Sequence, residues 1–279
     1  MIQKSYDHSA SLYLIPTPIG NLDDITIRSL NTLKEVDIIL CEDTRDTGLL
    51  LSHYDIKKKL LSCHEYNESE MIDKVVGFLK EGLNIGLVTD QGTPIISDPG
   101  YIVSRGVIEA GFNVISLPGA TAFVPALTVS GLEPSPFLFY GFLNAKRGKQ
   151  LDELRSLKDY KFTLIFYESV HRLKDTLQNM LNIFGNRTIC ICRELSKIHE
   201  EVTRGTIEEL LPLIDSMKGE FVLVVEGNKE VVDYSHLDVL DHVKMYLDDG
   251  YTEKDAIKIV AKERNVAKSI IYNEYHNRK

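Results

Sequence analysis

Short apolar runs bounded by glycine, proline and aspartate alternate along the chain with longer segments in which apolar residues recur every three to four positions. The short runs have the length of strands and the longer ones the period of helices, so the pattern predicts an α/β fold. Strands are predicted over 12–15, 38–41, 85–89, 114–117, 137–140, 162–167, 188–192 and 221–225, and helices over 26–35, 69–80, 101–110, 122–129, 149–157, 172–184 and 207–216. A capping box, Thr206 with Glu209, marks the start of the last of these, ahead of an Ile207, Leu210, Leu211, Ile214 stripe.

Residues 131–136, Gly-Leu-Glu-Pro-Ser-Pro, break regular structure and predict a hinge between an N-terminal α/β domain, 1–132, and a central α/β domain, 133–230. A cleft between the two is the default ligand site. A polar stretch then runs to Ser235. It leads into a third unit, 236–279, with helices predicted over 237–248, 253–264 and 267–277 and with Thr252 and Asp255 opening the middle one. Only Asn265 and Val266 separate the last two, a helix-turn-helix spacing.

Composition narrows the function. The 279 residues are 43% apolar and 26% charged, as in an ordinary globular protein. There is no signal-peptide pattern and no apolar run near the ~20 residues of a membrane span, so a cytoplasmic location without membrane attachment is expected. Cys41, Cys63, Cys190 and Cys192 are too few and scattered for a disulfide scaffold and are expected as reduced strand residues; a metal on the Cys190, Cys192 pair competes but would want further Cys or His close by, so no metal is expected. A net charge of -9 argues against a protein that coats polyanions. Any RNA contact must be local, and from Lys254 onward seven basic residues face three acids.

The most informative feature is a set of loops that each follow a strand, where open α/β sheets bind ligands. They are 16–21 (PTPIGN), 90–100 (DQGTPIISDPG) and 118–122 (PGATA). Glycine there lets backbone approach a ligand, although tight turns without a ligand would look the same. GxGxxG, P-loop, GxSxG and HExxH motifs are absent, which removes weight from hydride transfer, P-loop chemistry and the common hydrolases.

At these loops the chain resembles a known family. TPIGNLDDITIRSL, CEDTRDT, TDQGTPIISDPG, PGATAFVPALTVSGL, FYESVHRL, CRELSKIHEEVTRGT and KGEFVLVVEG stand in order from residue 17 to 227. They resemble the ribosomal RNA branch of the tetrapyrrole-methylase superfamily, class III S-adenosylmethionine-dependent methyltransferases, and the helices after 237 resemble that branch's helix-turn-helix extension. The resemblance implies two α/β/α domains with S-adenosylmethionine in the cleft, a homodimer, and methyl transfer to the ribose 2'-hydroxyl of a cytidine in 16S ribosomal RNA. Carried over by position, Pro18, Ile19, Asp90, Gly92, Thr93, Ile96, Thr121, Ala122, Glu168 and Gly205 would hold the donor. Gln91 departs from the branch's more usual alanine. For Asp90 and Asp98 a turn-forming role competes.

Such a transfer needs the 2'-oxygen aligned and its proton accepted. Candidates are the cluster Glu42, Asp43, Arg45, Asp46; the pair Glu168 and His171; and the trio Arg193, Glu194, Lys197. Asp43, Arg45, Glu168 and His171 are the expected catalytic set, with the general base unassigned and an ion pair to Arg172 the alternative for Glu168. His64 and His199 read as ordinary histidines. Lys146, Arg147 and Lys149, and the one-sided stripe Lys254, Lys258, Lys262, are expected RNA contacts or else solvated faces. Tyr272 and Tyr275 are stacking platforms or core residues. The acidic charge predicts that the assembled small subunit, not free RNA, is the substrate. Two other readings compete: a tetrapyrrole or protein acceptor, tested by competition, and a DNA-binding regulator, tested by its salt slope.

Overall fold

The apolar runs become strands of two separate sheets. In the computed structural model, which describes residues 3–5, 7–229, 234 and 236–278, the first sheet holds β1 (Ser11–Leu14), β2 (Ile38–Cys41), β3 (Lys59–Ser62), β4 (Ile85–Leu87) and β5 (Asn113–Ser116). Their order is β3-β2-β4-β1-β5, and every pair is parallel. The helices between them are α1 (Ile27–Glu35), α2 (Thr44–His53), α3 (Glu68–Lys80) and α4 (Tyr101–Glu109). Along β2, Ile38 and Leu40 pack with Leu79 and Val107 of α3 and α4, while Ile39 and Cys41 pack with Leu33 and Leu51 of α1 and α2. Burial on both faces is why this strand reads as an unbroken apolar run.

Helix α5 (Phe123–Ser130) carries the chain to the second sheet, which holds β6 (Phe137–Phe142), β7 (Thr163–Ser169), β8 (Thr188–Arg193), β9 (Glu201–Thr206) and β10 (Glu220–Val225). The order is β6-β7-β10-β8-β9, antiparallel except between β6 and β7. Helices α6 (Arg147–Leu157), α7 (Val170–Phe184) and α8 (Ile207–Leu210) cover one face. Ala126 and Leu127 of α5 cover the other, against Ile165, Cys192 and Val222. The chain therefore changes sheets at 117–122, ahead of the Gly131 break. All four cysteines are buried and free, although Cys63 follows β3 rather than lying in it.

Four elements differ from the pattern. Strands β3 and β9 are sheet edges, only half covered, so neither carries the apolar alternation that betrays a strand. Helix α2 begins inside the charged cluster, with Asp43 as its N-cap accepting from the Arg45 N–H at 2.7 Å. The helix expected over 207–216 keeps its capping box, with Thr206 N–H donating to Glu209 at 2.8 Å, but after Leu210 it tightens into a 3-10 turn over Leu211–Ser216 that contains Pro212.

Residues 229–279 form a compact unit of their own, of α9 (Val239–Asp248), α10 (Glu253–Glu263) and α11 (Lys268–Arg278). The expected boundary at 230 and most of the polar stretch to Ser235 lie outside the described residues. Tyr275 is core, whereas Tyr272 is exposed; Lys254, Lys258 and Lys262 are all exposed on α10. Among the described residues no helix is long and apolar enough to cross a membrane.

One buried polar cluster pins this unit. His242, fully buried, contacts Glu263 through Nε2 at 3.0 Å and accepts from Arg264 at Nδ1 at 3.1 Å, while the Tyr246 hydroxyl donates to Glu263 at 2.7 Å. Burial, reinforced by the Arg264 charge and opposed by Glu263, holds His242 below its ordinary value of 6.5. The folded unit thus favours neutral His242 more than the unfolded chain does. Its contribution is complete above 6.5 and is lost as pH falls from there towards the lowered folded value. Hydrogen exchange in α9 and α10, corrected for intrinsic rates, should show weaker protection at pH 5.5 than at 7.5. His242→Gln should flatten that difference; an unchanged pH dependence in the variant would contradict it.

Candidate active site

The loops that leave the first sheet are stapled together. Thr17 and Gly92 exchange backbone hydrogen bonds at 2.9 and 3.1 Å, the Thr17 hydroxyl donates to the Thr89 carbonyl at 3.1 Å, and the Thr93 hydroxyl donates to the Ala120 carbonyl at 2.8 Å. Gly119 sits so close to Pro16 that an added Cβ would stand 2.4 Å from the proline ring. Gly92 has φ +87, a conformation open to glycine and costly for other residues.

Together with one end of the second sheet, formed by β6, β7, β8 and β10, these loops enclose a cavity of about 460 Å³, within the roughly 300–1,000 Å³ of small-molecule sites. Its apolar walls include Ile19, Ala122, Leu195 and Val222. Among the described residues the walls also carry the carboxylates of Glu42, Asp90, Asp98, Glu168 and Glu220, and no Lys, Arg or His side chain. Such a site favours a ligand with positive charge and disfavours a phosphate. No three His, Cys, Asp or Glu side chains among the described residues stand together as metal ligands.

The carboxylates differ sharply in state. Burial, and then the charges of Glu42 and Asp90, push Asp98 up to about 7. Desolvation and the Asp90 charge hold Glu42 above its ordinary value. Asp90 is also raised, chiefly by desolvation, although it accepts from the Asp43 N–H at 3.3 Å. Glu168, with a side chain 1% exposed, is fully engaged: it accepts from the Ser169 N–H at 2.8 Å and the Thr176 hydroxyl at 2.6 Å, and pairs with Arg172 at 3.3 Å. Thr176 accepts from Gln150, which accepts from Asn179, so the buried network continues into α6 and α7.

Of the residues expected from the sequence, Ile19, Asp90, Gly92, Thr93, Ile96, Thr121, Ala122 and Glu168 meet at this cavity. Pro18 is buried beside it and lines a neighbouring pocket with Asp46 and Thr47. Gly205 is not brought there; it lies in edge strand β9, and a Cβ on it would meet Leu210 and Glu209. Nor does Asp43 reach the walls. Arg45 clamps it at 2.6 and 3.2 Å and holds its carboxyl down at about 2, so it stays an anion. His171 is exposed on α7, one position short of the turn that lets Arg172 meet Glu168. The trio from 193 to 197 ties itself up: Lys197 pairs with Glu194 at 3.2 Å and Glu220 at 2.7 Å, and Arg193 pairs with Glu201 at 2.6 Å. Sequence reasoning missed Tyr167, Cys192, Val222 and, Glu168 apart, the other wall residues of the second sheet, because nothing in their local spacing distinguishes them from core.

The model of the tetrapyrrole (corrin/porphyrin) methylase family matches residues 11–211. The chain is 49% identical to the ribosomal RNA small subunit methyltransferase I of Halalkalibacterium halodurans, with 98% of each chain covered. It is 48% identical to the protein of that description from Bacillus subtilis, over 95% of this chain and 94% of that one. Among solved structures, uroporphyrin-III-C-methyltransferase from Thermus thermophilus is similar with a TM-score of 0.57 at 19% identity, over 78% of this chain and 94% of that one. This last likeness establishes the fold.

Proposed function

Because the chain belongs to the tetrapyrrole methylase family and is a methyltransferase akin to the small-subunit ribosomal RNA enzymes, we propose that it methylates the ribose 2'-hydroxyl of a cytidine in 16S ribosomal RNA, with S-adenosylmethionine as donor. The observation that carries this reading is the cavity whose walls hold the carboxylates of Glu42, Asp90 and Asp98 with no basic residue among its lining. Bound S-adenosylmethionine supplies a methyl group on a positively charged sulfur. The carboxylates of Glu42, Asp90 and Asp98, none of them paired with a cation among the described residues, favour that charge, the apolar walls formed by Ile19, Ala122 and Val222 suit an adenosine, and the backbone around Gly92 allows close approach.

The same acidity keeps RNA phosphates out of the cavity, so a single nucleoside must be presented to it while phosphate contacts lie elsewhere. Lys146, Arg147 and Lys149 are exposed where α6 begins. Cations at the positive end of a helix are unfavourable for the helix, which argues for a role outside it. Replacing all three by alanine should weaken binding to small subunits uniformly and make the slope of log K against log salt shallower by roughly 0.7–0.9 for each lost phosphate contact. A slope equal to wild type would exclude them as contacts.

The enzyme is proposed to act in the cytoplasm as a homodimer on the assembled subunit, since its weak basic footprint would not select one nucleotide in free RNA. The test is transfer of labelled methyl to small subunits from cells lacking the protein. Label in RNA, faster with subunits than with naked RNA, is expected; label in protein or in an added tetrapyrrole contradicts the acceptor.

A further inference from the structure

We propose that Phe142 is the platform on which the acceptor base stacks at the mouth of the cavity. The inference rests on the methyl-transfer reading above and adds the residue that positions the nucleoside. An exposed phenylalanine is by itself ordinary; the case for this one is its place. Among the described residues three aromatic side chains line the cavity, Phe142, Tyr167 and Phe221. Phe221 is buried, and the Tyr167 ring is met by Phe139 at 4.9 Å and by Phe142 at 5.6 Å between centroids. Phe142 is 52% exposed, so of the three it alone keeps a ring surface open to a ligand.

Phe142 faces the cavity because strand β6 is interrupted. Phe139 stands opposite Ile165 of β7, but Gly141 stands opposite Phe166 and Phe142 opposite Tyr167, so Tyr140 is an extra residue, a β-bulge. Ile165 packs towards α5, and Phe166 towards α6 and α7. In unbroken register Phe142 would stand opposite Glu168 and turn to the α6 and α7 face. The bulge returns it to the side of Tyr167 and the cavity. Gly141 permits this with φ +81, and a Cβ on it would stand 3.0 Å from the Ser97 hydroxyl. Bulges beside active sites commonly re-aim a side chain in this way.

The strand leads directly into the basic segment. Lys146 lies four residues after Phe142, a span of about 14 Å at full extension. The turn between them is pinned. Arg172 donates to the Leu143 carbonyl at 2.7 Å, the Asn144 N–H donates to Glu153 at 2.7 Å, and the Lys146 N–H donates to the Asn144 side chain at 3.0 Å. A stacking surface and the exposed Lys146, Arg147 and Lys149 therefore stand on one fixed segment, an arrangement that fits an unpaired stretch of RNA, with its flat bases and charged backbone. The acidic wall disfavours phosphate but not a neutral base. Phenylalanine has no hydrogen-bonding group, so Phe142 positions the nucleoside and leaves the choice of base to other contacts.

Single-turnover methyl transfer tests this, with purified full-length variants in excess over small subunits from cells lacking the protein. Phe142→Ala should lower the rate at subsaturating enzyme about 5- to 150-fold, the effect of removing one stack of a base on an aromatic ring. Phe142→Trp, which keeps a ring, should recover most of that loss, whereas Phe142→Leu should fall with alanine. Donor affinity by calorimetry should be unchanged in all three. So should the slope of log K for subunits against log salt, because no charge is lost. Donor affinity falling in step with transfer would assign Phe142 to the donor, a shallower salt slope would show that it only props the basic segment, and altered sedimentation would place it between two copies. Each of these overturns the proposal, as would leucine as active as tryptophan or an alanine variant as active as wild type. Ultraviolet irradiation of the wild-type complex with subunits, followed by mass spectrometry, should join RNA to Phe142. If wild type binds subunits but methylates none, the acceptor reading fails while this cross-link still decides the platform; RNA joined only outside 142–149 would overturn it.

Discussion

Gly92→Val is expected to weaken S-adenosylmethionine binding about 100-fold while the protein remains folded. Gly92 holds φ +87, lines the cavity, and is bonded through both its backbone groups to Thr17. A β-branched residue in that conformation costs about 1–3 kcal/mol. Its Cβ would stand 3.3 Å from Ile19 Cγ2, and its methyl groups would take space from the cavity. The strain itself burdens free and bound protein alike; affinity falls because relieving it displaces the loop and the methyl groups fill ligand space, and a loss of about 2.8 kcal/mol in the bound state alone corresponds to about 100-fold. The effect should be equal for the product, because it arises from the loop and not from the reacting centre. Calorimetry with both ligands checks it; donor affinity unchanged in the valine variant would remove this loop from the donor site.

Glu168→Ala should have the largest effect on stability, about 3 kcal/mol. The carboxylate is the meeting point of the Ser169 N–H, the Thr176 hydroxyl and the Arg172 guanidinium, and its side chain is almost wholly buried. Removing it leaves three donors without their acceptor, and a broken buried ion pair typically costs about 3–5 kcal/mol. Arg172 is partly exposed and keeps its bond to the Leu143 carbonyl at 2.7 Å, which puts the loss at the low end. For a chain of this size the melting midpoint should drop by roughly 6–12 °C. Glu168→Gln, which keeps an acceptor but not the charge, should lose about half as much. A midpoint unchanged in Glu168→Ala would show that the network contributes nothing. Asp98→Asn removes no hydrogen bond or ion pair among the described residues and should melt close to wild type, which separates the two acids by experiment.

The parts legible in the sequence are those where one physical demand dominates. Strand β2 was predicted over its observed bounds because burial on both faces leaves four apolar residues with no alternative. The capping box at Thr206 was equally plain, since both of its hydrogen bonds are local. Helix α2 was hidden because its first turn is the charged Asp43 to Asp46 segment, which reads as a loop until Asp43 is recognised as a cap for the apolar Leu49 to Leu51 run. Strand β9, Glu-Val-Thr-Arg-Gly-Thr, has no apolar face to show because it is an edge.

At the site, the loop residues from Ile19 to Ala122 were legible through resemblance and strand-end position. Glu168 was legible as an acid with two possible roles, and its local i,i+4 spacing to Arg172 already contained the one observed. Asp98 was not. Asp-Pro-Gly is also a turn signal, and the properties that set it apart arise only when Glu42, Asp90 and the second sheet converge on it in space.

A methyl group on a ribose oxygen and one on a base behave differently in alkali. The measurement is alkaline hydrolysis of small-subunit RNA labelled by the purified protein. A methylated 2'-oxygen cannot attack the neighbouring phosphate, so label is expected in an alkali-resistant dinucleotide that yields 2'-O-methylcytidine. Label released in mononucleotides, on a base, would contradict it.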